Sequence, residues 1–511
     1  MNISDQLSIT ARDFAAKTAY IFQDQETTYQ QLDGAVTRFA SGLRKIGLQE
    51  GDHVALMLGN SPHFVIGMYG ALRSGLTVIP INPLYTPDEL TYILMNGDVK
   101  AVITMDLFIE KFEKIDAYLP MMEHYIVAET SDVARKSALQ NKMIAFTDVV
   151  ETGSLQEQFP IIDDDDVAVI LYTSGTTGNP KGAMLTHRNL YSNAKDSADY
   201  LGIQTSDKVI AALPMFHVFC LTVSLNAPLM NGGTVIIVPK FSPAEVFRLA
   251  IKWQATVFAG VPTMYNYLLQ AGELHKEDLR SLRLCISGGA SMPVALLQQF
   301  EATFDCIVSE GFGLSEASPV TCFNPLDKPR KPGSIGQNIV NVENKVVDEF
   351  GEEVEVGQVG ELIVRGPNVM KGYYKMPEET EHALRDGWLY TGDMARMDEE
   401  GYFYIVDRKK DMILVGGYNV YPREVEEVLY RHPNVTEVAV IGVPDPNVGE
   451  AVQAFVVLKE DGAFEEELLA YSRERLAKYK VPSSIHLIDE LPKNTTGKIL
   501  RRNLREKIVQ S

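Results

Sequence analysis

The sequence predicts an α/β protein built in several units, and three patterns carry that expectation. Short apolar, β-branched runs alternate with helix-length segments through residue 287, which implies parallel strands with helices packed on them. Between 333 and 364, short strands and Gly/Pro turns take over, as in a small barrel-like β unit. A charge cluster, Lys409-Lys410-Asp411, then divides the chain into 1–409 and 410–511, and the second part reads as a small α+β domain able to fold alone.

Taken in order, residues 29–46 read as a helix ending at Gly47, and 64–73 as a helix stopped by Gly75. The runs 53–58, 77–80, 99–104 and 125–127 read as strands of a first α/β layer system. An acidic run, Asp163-Asp164-Asp165-Asp166, leads into a buried strand at 167–172, and Thr186 is placed to N-cap a helix. The runs 208–212, 234–238, 256–260 and 282–287 make a second layer system. In the last unit, a helix starts at Pro422 and ends at 430. Strands at 438–443 and 452–458, a helix at 465–478 and a strand at 485–488 follow.

Composition narrows the function. With 511 residues, 45% of them hydrophobic, the chain can bury a large core. A net charge of −21 argues against a nucleic-acid partner. Met1-Asn-Ile-Ser-Asp-Gln lacks the basic and apolar regions of a signal peptide, and Cys220, Cys285, Cys306 and Cys322 form no CxxC pair. Both fit a cytoplasmic protein with reduced thiols. No Lys, Arg, Asp or Glu occurs from 209 to 239, but Pro214, His217, Asn226, Pro228 and Gly232-Gly233 interrupt the run. It is expected to be a core helix and strand, not a membrane span. A monomer or homodimer is expected, with peripheral membrane contact left open.

The most informative stretch is Tyr172-Thr-Ser-Gly-Thr-Thr-Gly-Asn-Pro-Lys-Gly182. Its glycines let backbone N–H groups approach an anion, its hydroxyls add donors, and Lys181 adds a point charge. The same composition also suits a flexible surface loop, and the spacing is not that of a Walker A motif. Other strings have two readings each. His217 in Pro214-Met-Phe-His-Val-Phe219 is either a core histidine or a residue at the mouth of an apolar pocket. Ser287-Gly-Gly-Ala290 is a tight turn or a close approach to a flat ligand. Glu310-Gly-Phe312-Gly-Leu-Ser315-Glu316 offers an aromatic face, a hydroxyl and a carboxylate suited to Mg²⁺. The uncharged 209–239 stretch provides no partner for an ammonium or a second carboxylate, which favours an acid with an apolar tail.

The 172–182 string closely resembles the phosphate loop of the AMP-forming acyl-CoA synthetases, within the adenylate-forming enzymes, and five more motifs agree in order. The resemblance implies two stacked α/β subdomains with a small β-barrel, then a mobile C-terminal domain. It implies ATP, Mg²⁺ and coenzyme A as cofactor and substrates. Thr173, Ser174, Gly175, Thr176, Thr177, Gly178 and Lys181 would meet the phosphates. Gly289, Ala290, Gly311, Phe312 and Gly313 would border adenine and the acyl group, with His217 at the acyl site. Ser315 would meet the α-phosphate, Glu316 the metal, and Asp393 with Arg408 the ribose. Lys410 would be the hinge, Gly416 and Gly417 would line the pantetheine channel, and Lys498 would bridge the carboxylate and α-phosphate. Residues 386–410 look like the fatty acyl-CoA synthetase branch, so activation of a medium- to long-chain fatty acid to acyl-AMP and acyl-CoA is expected. An aryl-acid ligase of 4-coumarate or benzoate type shares every motif. A carrier-protein adenylation domain and a non-catalytic lipid-binding protein fit less of the sequence.

Overall fold

The helix Tyr29–Lys45 shows how local signals set the first layer. Thr28 accepts from the Gln31 amide while the Gln31 side chain accepts from the Thr28 amide, which satisfies two otherwise orphaned donors. Its apolar positions Leu32, Val36, Phe39 and Leu43 recur at helical spacing and are fully buried. Helix Pro62–Arg73 packs beside it, with proline at its first turn and Arg73 at its last. The computed structural model describes residues 1–128, 137–173, 180–272, 275–459, 465–494 and 499–510, with side chains to 508 in the last stretch.

Two large sheets carry the chain. In the first, the strand order is Gly372–Tyr373, Lys181–Thr186, Val167–Thr173, Thr77–Pro80, His53–Met57, Val99–Met105, His124–Ala128 and Met143–Ala145. All pairs are parallel except the two at the Lys181–Thr186 edge. In the second, Val308–Gly313, Leu284–Ser287, Val257–Gly260, Lys208–Ala211, Thr234–Ile237 and Thr18–Phe22 run parallel in that order. Antiparallel strands Val320–Phe323 and Gln337–Asn338 flank one side and Gln25–Thr28 the other. One continuous apolar core joins side chains of both sheets, among them Val54, Ile103, Val169, Val209 and Ile286.

Where a small barrel is expected, strands Glu343–Val347, Gly360–Arg365, Trp388–Met397, Leu384–Arg385 and Phe403–Arg408 form a five-stranded antiparallel sheet. A fourth sheet, drawn wholly from residues after 412, holds Val435–Asp445 against Gly449–Leu458 with helix Pro422–Tyr430 packed on it. The proline start and Tyr430 end of that helix match the sequence expectation.

Two expectations are corrected and one strand is added. Thr18–Phe22, not among the strands expected from the sequence, belongs to the second sheet, beside Thr234–Ile237, although it precedes every strand of the first. Between Lys181 and the capped helix lies a strand, Lys181–Thr186, so the phosphate-loop segment joins two antiparallel strands and does not lead directly into a helix. The helix expected over 465–478 ends at Arg473. The uncharged stretch folds as a buried π-helical segment Cys220–Asn226, a helix Ala227–Met230 and a buried strand Thr234–Ile237. No helix among the described residues is long and apolar enough to cross a membrane.

Asn60 ties the two large sheets together. From the end of the His53–Met57 strand region, its buried amide donates to Leu213 O at 2.8 Å and Val238 O at 3.0 Å, and it accepts from Met215 N at 2.8 Å. Replacing it with alanine leaves these buried backbone groups unpaired. Asn60→Ala is expected to cost about 3 kcal/mol and lower the thermal unfolding midpoint. An unchanged midpoint would show that those groups are satisfied some other way.

Candidate active site

The site lies at the carboxyl ends of strands, where open α/β sheets present loops to ligands. Strands Leu284–Ser287 and Val308–Gly313 run parallel with Ser287 opposite Glu310, so the Gly288-Gly289-Ala290 turn leaves beside Gly311-Phe312-Gly313. Close packing dictates glycine at Gly311: a Cβ there would fall 2.2 Å from the Phe323 ring and 2.9 Å from Cys322 O. At Gly288 a Cβ would fall 3.2 Å from the Phe219 ring. That contact brings the 214–219 segment to the same turn. His217 is half-buried, and its Nδ1 accepts from the Phe219 amide at 3.3 Å. As a neutral imidazole it therefore carries its proton on Nε2. Phe312 is also half-buried, and it packs against a cluster that contains Ile335, Leu362 and Phe403.

A second group forms around the antiparallel hairpin. Thr173 pairs with Lys181, and Thr173 Oγ1 donates to Lys181 O at 3.4 Å. Ser174, Gly175, Thr176, Thr177 and Gly178, between them, lie outside the described residues. On the outer side of Lys181–Thr186, the short strand Gly372–Tyr373 adds one more antiparallel pairing, Tyr373 opposite Ala183. The Lys181 ammonium lies 5.4 Å from the centre of the Tyr373 ring, within cation–π range. The Tyr373 hydroxyl donates to Glu316 Oε1 at 3.0 Å. Burial, and secondarily the Glu316 charge, push the Tyr373 pKa far up, so the hydroxyl stays a donor.

Glu316 fits a hard cation. Its carboxylate is half-buried, and no described group hydrogen-bonds to its Oε2. No group of three or more His, Cys, Asp or Glu among the described residues is placed to hold a metal ion. A cation at Glu316 would thus take most of its oxygens from phosphates and water, the usual situation for Mg²⁺. Ser315 stands beside it at the start of the short turn Ser315–Ala317.

A third group lies on the five-stranded sheet. Asp393 is opposite Arg408 across the Trp388–Met397 and Phe403–Arg408 strands, with Arg408 Nε 3.4 Å from Asp393 Oδ1. Asp393 is buried and Arg408 is 42% exposed, so the pair offers one fixed carboxylate and one adaptable cation. Glu361 holds this corner by accepting from Gly392 N at 3.0 Å and Lys409 Nζ at 3.1 Å. Lys410 follows directly and is exposed. Gly416 and Gly417 make the exposed turn between Ile413–Val415 and Tyr418–Val420. Lys498 lies outside the described residues.

The chain matches the family described as "AMP-binding enzyme" over residues 7–374, and "AMP-binding enzyme C-terminal domain" over residues 424–498. The chain belongs to the AMP-binding enzyme family. It is 43% identical to the long-chain-fatty-acid–CoA ligase of Bacillus subtilis, covering 99% of this chain and 94% of that one. With the long-chain-fatty-acid–CoA ligase of Escherichia coli O157:H7 it shares 38% identity at the same coverage. Among solved structures, ATP-bound MatB from Rhodopseudomonas palustris superposes with a TM-score of 0.91 at 35% identity, covering 99% of each chain. Apo MatB gives 0.80 at the same identity. The whole-chain arrangement here is therefore nearer to the ATP-bound form.

In this AMP-binding enzyme the C-terminal unit sits on the five-stranded sheet through ions and carbonyls. Arg423, near the start of helix Pro422–Tyr430, donates to Ile405 O at 2.8 Å and Gly333 O at 3.3 Å, while its amide donates to Asp407 Oδ2 at 3.0 Å. Burial raises the Asp407 pKa to about 6, against the pull of Arg501. Within the C-terminal unit itself, Arg505 pairs with Asp411 at 3.1 Å. Glu310, opposite Ser287 before the Gly288-Gly289-Ala290 turn, accepts from Met292 N at 3.1 Å, but its Oε2 has no partner among the described residues. Burial raises its pKa from 4.5 to about 7, opposed by Arg423 and reinforced by Glu427. Tyr373, Glu361 and Arg423 were not evident from the sequence as site residues. Each reaches the site through tertiary pairing, and no local spacing signals that.

The Glu310 shift has a measurable consequence. Its pKa is higher folded than unfolded, so its stabilising contribution is complete below pH 4.5 and is lost as pH rises through about 7. Glu310→Gln removes that dependence. The melting temperature of the variant relative to the unaltered protein is expected to rise between pH 5 and pH 8. A difference that stays constant over this range would contradict the assignment.

Proposed function

We propose that this AMP-binding enzyme converts a medium- to long-chain fatty acid, ATP and coenzyme A into acyl-CoA, AMP and pyrophosphate. The observation that carries this reading is the 43% identity with a long-chain-fatty-acid–CoA ligase along 99% of the chain. The buried, uncharged Cys220–Asn226 segment and the Phe219 contact to the Gly288 turn support an apolar acyl group at that end of the site.

In the first half-reaction a carboxylate oxygen attacks the α-phosphorus of ATP, the new O–P bond forms, and pyrophosphate leaves. Lys181 and the backbone of the 173–178 segment bind the departing phosphates, and Lys181 is held over Tyr373. Bound Mg²⁺ supplies charge neutralisation at those phosphates, and Glu316 is the residue to hold it. Ser315 donates to the α-phosphate, and Asp393 with Arg408 holds the ribose. Gly289, Ala290, Gly311, Phe312 and Gly313 enclose the adenine and the reacting carbonyl, and the His217 Nε2–H orients the carboxylate. Lys498 offsets charge shared between carboxylate and α-phosphate, an electrostatic contribution that is large in a water-poor site.

In the second half-reaction residues 410–511 turn about Lys410, which withdraws Lys498 and brings the Gly416-Gly417 turn to line the pantetheine path. The coenzyme A thiolate attacks the acyl carbonyl and AMP leaves. We infer a cytoplasmic enzyme that is a monomer or homodimer.

Two measurements test this reading. AMP release is compared for acetate, octanoate, palmitate, benzoate and 4-coumarate with ATP, Mg²⁺ and coenzyme A. Turnover is expected to be highest with octanoate or palmitate, whereas preference for the aryl acids would overturn the fatty acyl assignment. Lys498→Ala should lower ATP–pyrophosphate exchange by roughly 10²–10³-fold while sparing thioester formation from supplied acyl-adenylate. Lys410→Pro, which fixes φ at the turn, should do the reverse. Equal loss of both half-reactions in both variants would rule out the two-conformation scheme.

A further inference from the structure

The two charged groups expected to meet the phosphates and the metal come from distant parts of the chain, Lys181 and Glu316. One side chain touches both. The Tyr373 ring lies under the Lys181 ammonium at 5.4 Å, and its hydroxyl donates to Glu316 Oε1 at 3.0 Å. The tyrosine itself is fixed on every side. Its strand pairs with Lys181–Thr186, Lys371 N donates to Met184 O at 2.9 Å, and Tyr374 N donates to Gly182 O at 2.8 Å. Its own amide donates to Thr380 Oγ1 at 2.8 Å. The main chain of Glu316 is held by the same segment, through Met370 N at 2.8 Å.

We propose that Tyr373 is a positioning residue that presents Glu316 Oε2 to the metal and seats Lys181 beside it. This rests on the reading of Glu316 as the magnesium ligand. The physical reason is orientational. A glutamate side chain has three torsions, and an unanchored carboxylate samples many rotamers before it can bind an ion. A hydroxyl donated to Oε1 fixes the carboxylate plane and leaves Oε2 outward. Outer partners of metal ligands of this kind typically alter metal affinity 10–100-fold when removed. The ring acts separately, since a cation–π contact restrains the flexible lysine stem without neutralising its charge.

The experiment separates hydroxyl from ring. Binding of a non-hydrolysable ATP analogue is measured by calorimetry across a series of Mg²⁺ concentrations, for the unaltered protein, Tyr373→Phe, Tyr373→Leu and Glu316→Gln. Tyr373→Phe keeps the ring, so metal-free analogue binding should be unchanged, while the Mg²⁺ midpoint should rise by about 10-fold. Tyr373→Leu should show the same midpoint shift and also weaker metal-free binding, because Lys181 loses its seat. If Glu316→Gln shifts the midpoint but Tyr373→Phe does not, the positioning role is wrong and the metal assignment stands. If Glu316→Gln leaves the midpoint unmoved, the metal assignment falls and the proposal with it. If Tyr373→Phe weakens metal-free binding as much as metal-dependent binding, the tyrosine is merely structural and the proposal is overturned.

Discussion

The antiparallel ladder of Val167–Thr173, Lys181–Thr186 and Gly372–Tyr373 is the constraint on which the site depends. Its inner strand is locked to the parallel sheet by the Val78–Val169 pairing. Its middle strand begins at Lys181 and ends at Thr186, which caps helix His187–Leu201 by accepting from the Asn189 amide. The amide side chain of Asn189 then donates to Pro367 O at 2.8 Å and Val369 O at 2.9 Å. One helical turn on, Asn193 donates to Val320 O at 2.8 Å, and Asn368 donates to Ala317 O at the same distance. These asparagines are buried, so each unmade bond would cost the full desolvation of its amide. The result is that Lys181 and Glu316 share one frame, although they lie 135 positions apart in the sequence.

That frame explains why the sequence revealed the site's parts but not their assembly. Thr77–Pro80, the Thr186 cap and helix Pro422–Tyr430 are legible because each is set by neighbours within a few residues: a β-branched run, a capping hydroxyl, a proline at the first turn. The Lys181–Thr186 strand was not legible. Gly182-Ala183-Met184-Leu185 is short and has no alternation, and its pairing is fixed by partners on both sides, one of them nearly two hundred residues away. The same holds for Thr18–Phe22, which was not among the strands expected from the sequence and whose place beside Thr234–Ile237 is decided by packing. For the candidate site, the motifs single out Lys181, Glu316, Asp393 and Arg408. Tyr373 touches Lys181 and Glu316, while Glu361 and Arg423 bond to Gly392, Lys409 and Asp407 beside the other two, and contact across strands leaves no period in the sequence.

The chemistry of the C-terminal seat bears on the proposed motion. The apolar clusters of that unit draw only on residues from Ile413 onward. Its connection to the five-stranded sheet includes the Arg423 bonds to Ile405 O and Gly333 O and the charges around Asp407. Separating such a seat exposes polar groups that water can satisfy, and the apolar core of the unit stays closed. An interface of leucines in the same place would resist opening. The Arg423 seat suits the proposed motion, in which the C-terminal unit docks for one half-reaction and leaves for the next.

The same groups also make docking conditional on charge. Taking a carboxylate out of water raises the free energy of its ionised form, and Asp407 and Glu310 both show this as pKa values near 6 and 7. Arg423 lowers that cost for Glu310, and Arg501 lowers it for Asp407, while Arg423 reaches Asp407 only through its amide. Both arginines belong to the unit that would turn away. In the arrangement described here burial outweighs those arginines, since both pKa values stand above the ordinary carboxylate range, so the buried acids are more stable protonated and their ionisation carries a cost that the arginines only partly offset. The buried acids Glu310 and Asp407 and the arginines Arg423 and Arg501 that follow the charge cluster thus form one coupled electrostatic element, on which the proposed motion would act.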